Sequence, residues 1–298
     1  MRKIFLVGLA LVSLGFDLSQ ASIRPEEIQE SGIPVDGIPA LTNPEFISAP
    51  DANDFLESED LVIGIVQGRT VRAYPLRILN WHEVVNDSIE GEPVVITYCP
   101  WAGSIRVFRA QIQGRPYQFG VSGKHYKNNH LLYDRATKSL WSPMRGEAVS
   151  GPMKGTVLEP IPVGVAPWRK WRNQYPTTQV LSMNTGFLRD YYRDPYGHYA
   201  GSEKLMFPAG EIRRELSPKA RVIGIRIKGV AKAYPWEFLK KKAAPRLKDQ
   251  IGDQKIMIEY LSELGDVRVR DAAGNLLEPI RAYWFAWQAF YPETEIDA

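Results

Sequence analysis

The sequence has very little cysteine: Cys99 is the single thiol among 298 residues. A disulfide needs two cysteines, so none can form within the chain, and the fold must rest on the packing of side chains. An unpaired thiol is then either buried and inert or retained for its chemistry. Cys99 is therefore the first residue to consider when a functional site is sought.

Blocks of like charge and recognisable phosphate-binding loops are also missing. The 37 Lys and Arg residues nearly balance the 34 Asp and Glu residues, and no basic stripe stands out, so we expect no nucleic-acid partner. The glycine-containing segments lack the strand–loop–helix context of a phosphate loop, and no Gly-x-Ser-x-Gly motif is present. These absences argue against nucleotide-binding and serine-hydrolase classes.

The first residues form the longest apolar run, which is still shorter than the roughly 20 residues that span a bilayer. Arg2 and Lys3 precede apolar residues 4–16, and small residues end the run at Ala21. This pattern predicts a secretory signal peptide over residues 1–21, although an uncleaved N-terminal anchor remains an alternative. We expect an exported protein, periplasmic or extracellular, with no membrane span in the mature chain and an extended leader over residues 22–40.

An internal repeat dominates the rest of the chain. Residues 62–79 and 222–239 share eight identical residues at an offset of 160. Each copy predicts a β-hairpin followed by a short helix that begins at a proline. The sequence thus predicts an α+β fold, predominantly antiparallel β, with an internal duplication whose copies lie near residues 60–118 and 221–280. We expect a single domain over residues 41–298, in which residues 150–220 connect two related halves.

Several separated motifs are similar to those of a known family. They are DGIPALTNP at 36–44, AYPLRILNWHEVVND at 73–87, TYCP at 97–100, GVSG at 120–123, LLYDR at 131–135, SLWS at 139–142, RDPYG at 193–197 and the C-terminal WFAWQAFYPETEI. On these motifs the chain resembles the bacterial family called domain of unknown function 3179, from about Asp36 to Ile296. The resemblance implies no particular activity.

One departure from that family affects the chemistry. Members commonly read Cys-Pro-Leu-Cys-Gly where this chain has Cys99-Pro100-Trp101-Ala102-Gly103, so the second cysteine is replaced by Ala102. A dithiol–disulfide cycle in this motif is therefore excluded, and so is a metal site with two thiolates in this loop.

Comparison of the two copies points to a site in the first one. Cys99 corresponds to Leu261, and Trp81-His82-Glu83 corresponds to Lys241-Lys242-Ala243. The copies share their scaffold residues, but thiol, imidazole and carboxylate occur only in the first copy. One hypothesis is a cysteine-dependent enzyme with Cys99 as nucleophile, His82 as base and Glu83 as the group that orients the base.

A second hypothesis is metal binding or metal handling. Cys and His ligands suit copper or zinc, and the candidate ligands are Cys99, His82, His125 and His130. An alternative interpretation of His125 and His130 is that they are loop histidines in water.

A third hypothesis is a non-catalytic module that binds a small molecule or has a structural role. Polar and aromatic residues after the GVSG motif predict a ligand pocket, formed by Tyr126, Asn128, Asn129, Tyr133, Asp134 and Trp141. From the sequence, all three hypotheses stay open, the expected partner is a small molecule or a metal ion, and Cu or Zn is the expected cofactor only under the second.

Overall fold

The computed structural model describes residues 15–242 and 246–297. Within them the chain forms five short α-helices and 24 β-strands, and nearly all strand pairs are antiparallel. The predicted α+β fold with mostly antiparallel sheets is confirmed. Most of the predicted signal peptide, residues 1–14, and Ala243 lie outside the described residues.

The elements follow one another in this order along the chain. The helices are α1 (Ala49–Ala52), α2 (Leu76–His82), α3 (Trp168–Gln174), α4 (Trp236–Lys242) and α5 (Trp284–Phe290). The strands up to residue 150 are β1 (Ile28–Glu30), β2 (Leu41–Thr42), β3 (Phe46–Ser48), β4 (Leu61–Gln67), β5 (Thr70–Pro75), β6 (Val84–Ile89), β7 (Glu92–Cys99), β8 (Ser104–Arg109), β9 (Gln111–Ile112), β10 (Arg115–Pro116), β11 (Phe119–Tyr126), β12 (Asn129–Asp134), β13 (Leu140–Ser142) and β14 (Glu147–Ser150). The later strands are β15 (Gly164–Pro167), β16 (Gln179–Leu181), β17 (Arg221–Ile227), β18 (Val230–Pro235), β19 (Arg246–Ile251), β20 (Gln254–Leu261), β21 (Asp266–Asp271), β22 (Leu276–Leu277), β23 (Ile280–Tyr283) and β24 (Glu295–Ile296).

The repeated sequence forms the same local structure twice. Strand β4 pairs with β5 and strand β17 pairs with β18, and the first strand of each hairpin contains the same buried Val-Ile-Gly-Ile run. Helices α2 and α4 follow directly. Pro75 serves as the N-cap of α2, one residue before the position that the sequence predicts, because its extended ψ of 130° ends the strand.

The structural likeness extends well beyond the repeated motif. The order β4-β5-α2-β6-β7-β8 recurs as β17-β18-α4-β19-β20-β21, and each element has the same length as its counterpart. The order β15-α3-β16 recurs as β23-α5-β24. Duplication of one ancestral unit stays a prediction, which this correspondence supports.

We call β4–β16 the first segment and β17–β24 the second segment. Strands of both segments belong to one large sheet. Its order is β2-β6-β7-β8-β23-β17-β18-β24, so three strands of the first segment continue into strands of the second. The junction lies where Arg281 on β23 faces Ile105 on β8. The smaller sheets are β15-β4-β5-β16-β3, β19-β20-β21-β22, β1-β11-β12-β13-β14 and β10-β9.

In each segment a tryptophan ring packs directly against a glycine of the first hairpin strand. A Cβ atom on Gly64 would lie 2.0 Å from the Trp171 ring, and a Cβ atom on Gly224 would lie 2.2 Å from the Trp287 ring. Glycine is needed at both places because any side chain would occupy the space of the indole. Both tryptophans are buried, Trp171 on α3 and Trp287 on α5.

The segments differ most where the first one carries an insertion. Strands β9–β14 lie between β8 and β15, whereas only β22 lies between β21 and β23. Within residues 22–40, strand β1 pairs with β11, with Ile28 opposite Tyr126. In the described parts of the chain, no helix is long and apolar enough to span a bilayer.

Candidate functional site

Cys99 is the last residue of β7 and is completely buried. The chain turns back into β8 through Gly103, whose φ of +59° is left-handed. The backbone N–H groups of Trp101 and Ala102 in this turn, and that of His130, act on the thiol and lower its pKa. Burial and the negative charge of Glu83 raise the pKa of the thiol well above its ordinary value, and the three N–H donors oppose this.

Glu83 reaches the same interior from the end of α2. It is the C-cap residue, with a left-handed φ of +58°, and its N–H donates to the carbonyl of Leu79. This conformation is uncommon for a residue other than glycine. It turns the carboxylate inward, where Oε1 accepts a hydrogen bond from the Tyr196 hydroxyl at 2.8 Å and Oε2 lies 2.9 Å from Nδ1 of His130.

His130 lies on β12, directly opposite His125 on β11. Because Nδ1 donates to the Glu83 carboxylate, the proton of a neutral His130 ring is fixed on that nitrogen. Nε2 is then left with a lone pair, and it has no partner in the described residues. The His125 ring stacks on Phe207 with centroids 4.0 Å apart, and burial lowers the pKa of His125.

Unpartnered polar atoms concentrate around these residues. Six of the ten buried side-chain atoms without a hydrogen-bond partner in the described chain lie here: Trp101 Nε1, His125 Nδ1 and Nε2, Asn128 Oδ1, Asn129 Oδ1 and His130 Nε2. Buried polar atoms are nearly always paired in folded proteins, because an unpaired one costs about 1–3 kcal/mol. Such a concentration is typical of a place built for a ligand or for chemistry.

Residues 196–208, which we call the strap, cover this region. Aromatic strap residues pack on Cys99 and Trp101, and the Tyr199 hydroxyl donates to the Trp101 carbonyl at 2.9 Å. Asn128 Nδ2 donates to the carbonyl of Pro208 at 3.0 Å. The strap belongs to the connection between β16 and β17, so only the tertiary structure brings it to Cys99.

His82 occupies a different environment. Its Nδ1 lies 2.7 Å from the carbonyl of Pro39 and its Nε2 lies 2.6 Å from the Tyr191 hydroxyl. A carbonyl can only accept, so Nδ1–H donates and Nε2 accepts from Tyr191. Burial lowers the pKa of His82 to about 4. Both ring nitrogens are therefore engaged away from Cys99, and the imidazole that Glu83 holds is that of His130.

The predicted metal ligands do not form one cluster. His125 and His130 meet across a strand pair near Cys99, whereas His82 lies apart. Across residues 15–242 and 246–297, no three His, Cys, Asp or Glu side chains come together as a group that could hold a metal ion. The interpretation of His125 and His130 as loop histidines in water is wrong, since both are 1% exposed and lie in strands.

The predicted ligand pocket is divided among three places. Asn128 and Asn129 lie at the Cys99 site, where Asn129 Nδ2 donates to Ser104 Oγ at 2.6 Å. Tyr126 lines a separate cavity of about 620 Å³. The other three residues lie toward the far end of β12: Tyr133 bonds to Asp36, while Asp134 accepts from Thr137 and from Trp141 Nε1.

Tyr196 is the site residue that sequence reasoning missed. It donates to Glu83, and the pKa of its hydroxyl is raised, first by burial and then by the Glu83 charge. It belongs to a stretch with several other tyrosines, and its sequence does not distinguish it from them.

Comparison with known proteins identifies the family and no more. No curated protein and no solved structure gives a match. The model of a family described as "Protein of unknown function (DUF3179)" matches residues 35–294, which is most of the chain. The family motifs include the strand end that carries Cys99, the α2 segment that carries Glu83 and the start of the strap. The chain therefore belongs to the DUF3179 family.

Proposed function

We propose that the protein is a cysteine-dependent enzyme in which Cys99 is the nucleophile, His130 is the general base and Glu83 positions the base. The observation that supports this most is the 2.9 Å contact between Glu83 Oε2 and His130 Nδ1, which leaves His130 Nε2 without a hydrogen-bond partner among the described residues. A nucleophile, a base and a group that orients the base form the general arrangement of such enzymes.

The choice of His130 as base rests on its free nitrogen. A base must accept a proton, and Nε2 of His130 has a lone pair that no described group occupies. His82 meets neither requirement, because Tyr191 occupies its Nε2 and its pKa of about 4 disfavours protonation at neutral pH. In this proposal His130 takes the role that the sequence assigns to His82.

Among the groups around Cys99, the backbone N–H groups of Trp101, Ala102 and His130 favour a thiolate, whereas burial and the Glu83 charge oppose it. In the reaction the Sγ proton passes to His130 Nε2, and the sulfur electron pair forms a bond to an electrophilic carbon of the substrate. The group displaced from that carbon leaves with the proton held by His130, so atoms and charge balance.

Alkylation of the folded protein by iodoacetamide at pH 7, followed by intact mass spectrometry, tests this proposal. We expect one adduct in the wild type and none in Cys99→Ala. The rate should fall at least about 100-fold in His130→Gln, which is the range for loss of a general base. It should change little in His125→Gln, the matched control from the same histidine pair. A folded protein that resists alkylation, or equal rates in both histidine variants, would overturn the assignment.

A second candidate, metal binding, is favoured by one specific observation. His125 and His130 face each other with unpartnered ring nitrogens, and Cys99 could add a soft sulfur ligand. Metal content after incubation with copper(I) or zinc separates the two candidates. About one equivalent that disappears in both Cys99→Ala and His125→Gln would favour a metal site. Equal, negligible metal in all three proteins would exclude it.

A further inference from the structure

A cleft of about 420 Å³ lies between the two repeated segments, and equivalent residues of both segments line it. Leu61 and Arg221 begin the equivalent strands β4 and β17. Tyr98 and Tyr260 hold equivalent positions near the ends of β7 and β20. Binding sites often form where two structural units meet, because the junction leaves a concave surface with groups from both sides.

The two sides of the cleft differ in chemistry at equivalent positions. Where the first segment presents Leu61 and Leu76, the second presents Arg221 and Trp236. The cleft therefore has an aliphatic side and a side with a cation and an indole. Tyr98, Tyr260 and Tyr283 add further aromatic surface, so most of the interior is flat and apolar with polar tips.

The positive charge of the cleft is not neutralised by its carboxylates. Asp266 is engaged by Arg281 at 2.8 Å and by the N–H of Val165 at 2.7 Å, and Glu59 pairs with Arg169. Arg221 has no carboxylate partner within the described residues. Its guanidinium lies 5.4 Å from the Trp236 ring centroid.

Two lysines add positive charge to the cleft, Lys170 from α3 and Lys240 from α4. Lys170 donates to the carbonyl of Ser262 at 2.7 Å and forms no ion pair within the described residues, while Lys240 pairs with Glu237 on the exposed face of α4. An exposed ion pair of this kind is weak and readily exchanged for a better partner. The cleft thus combines aromatic walls with a cationic rim whose guanidinium can bind an oxyanion by two parallel hydrogen bonds.

We propose that this cleft binds a small organic anion that has a flat apolar body and one carboxylate, sulfonate or phosphate group. The body would lie between Tyr98 and Tyr260, with its apolar end toward Leu61 and Leu76. The anionic group would lie at Arg221, within reach of Lys240. This site is separate from the thiol chemistry proposed for Cys99 and does not depend on it.

Binding of 8-anilinonaphthalene-1-sulfonate, an aromatic sulfonate whose fluorescence rises in apolar surroundings, tests this inference on the folded chain. We expect saturable binding of about one equivalent. The dissociation constant should rise at least about tenfold in Arg221→Ala, since a hydrogen-bonded charge is lost. Arg115→Ala, which removes the same charge from the exposed β9–β10 hairpin outside the cleft, should bind like the wild type.

Trp236→Leu provides a second variant. It replaces the indole with the side chain that the first segment has at the equivalent position, Leu76. It should also weaken binding, with the urea unfolding midpoint measured for each variant to verify folding. The proposal is overturned if the probe binds more weakly than about 1 mM. It is also overturned if Arg115→Ala weakens binding as much as Arg221→Ala, because the probe would then report overall charge.

Discussion

Glu83 and His130 are 47 positions apart in the sequence, yet Glu83 Oε2 lies 2.9 Å from His130 Nδ1 with both side chains almost completely buried. A buried carboxylate must be paired or hydrogen-bonded to be tolerated. Glu83 satisfies this through His130 and Tyr196, one from the inserted hairpin and one from the strap. The pair therefore ties three separate parts of the chain to Cys99.

The negative charge of Glu83 adds to the effect of burial on the pKa of the Cys99 thiol. Because this charge raises the pKa of Cys99, we expect Glu83→Gln to lower the pH midpoint of Cys99 alkylation. The midpoint of the rate–pH profile is the quantity to measure, since the absolute rate also depends on access to the buried sulfur. Glu90→Gln, an exposed substitution of the same kind, serves as the control. An unchanged or higher midpoint in Glu83→Gln would contradict the proximity of the two groups.

His82 should make the fold sensitive to acid. Burial lowers the pKa of His82 from 6.5 to about 4. Between these two pH values the imidazole is protonated in the unfolded chain but neutral in the folded chain. The stability that comes from keeping His82 neutral is thus complete above pH 6.5 and is lost as the pH falls toward 4. The loss amounts to about 3 kcal/mol. Urea unfolding from pH 4 to 7 should show a smaller slope in His82→Gln; an identical slope would refute this.

The glycine–tryptophan contacts should exclude any side chain at Gly64 and at Gly224 alike. A Cβ atom at Gly64 or Gly224 would penetrate the facing indole, so each alanine substitution should destabilise by at least about 2 kcal/mol through overpacking. Gly210→Ala is the matched control, because nothing lies within 4 Å of its Cβ position. Chemical denaturation measures all three. A cost in only one of the two segments would show that the packing is not equivalent.

A tyrosine–aspartate hydrogen bond also occurs in both segments. The hydroxyl of Tyr74 lies 2.5 Å from Asp87 Oδ2, and that of Tyr234 lies 2.6 Å from Asp249 Oδ2. Removing a hydrogen bond to a charged group costs about 1.5–3 kcal/mol, so Tyr74→Phe and Tyr234→Phe should each lower the unfolding free energy by that amount. Tyr192→Phe, on an exposed ring, should change it by less than about 0.5 kcal/mol. Chemical denaturation curves measure the unfolding free energy of each variant. An unchanged unfolding free energy in Tyr74→Phe or Tyr234→Phe would contradict a stabilising hydrogen bond to the aspartate.

Local sequence predicts local structure well in this protein. The repeated motif predicted a hairpin in each copy, and Pro75 marked the start of α2 to within one residue. The same reasoning placed His125 and His130 in a loop. Their sequence HYKNNH is polar, and it is the neighbouring strands and the strap that make the hairpin buried.

The sequence by itself determined the class of fold, the repeated motif and the family, and it singled out Cys99 and Glu83 as candidate site residues, because these follow from local pattern or from comparison of the copies. It could not determine which histidine Glu83 holds. His82 is adjacent in sequence, but the left-handed turn at Glu83 sends the two side chains to different neighbours. In the tertiary structure Glu83 binds His130. Such a contact between distant parts of the chain depends on how the strands pair, and strand pairing depends on packing over the whole chain.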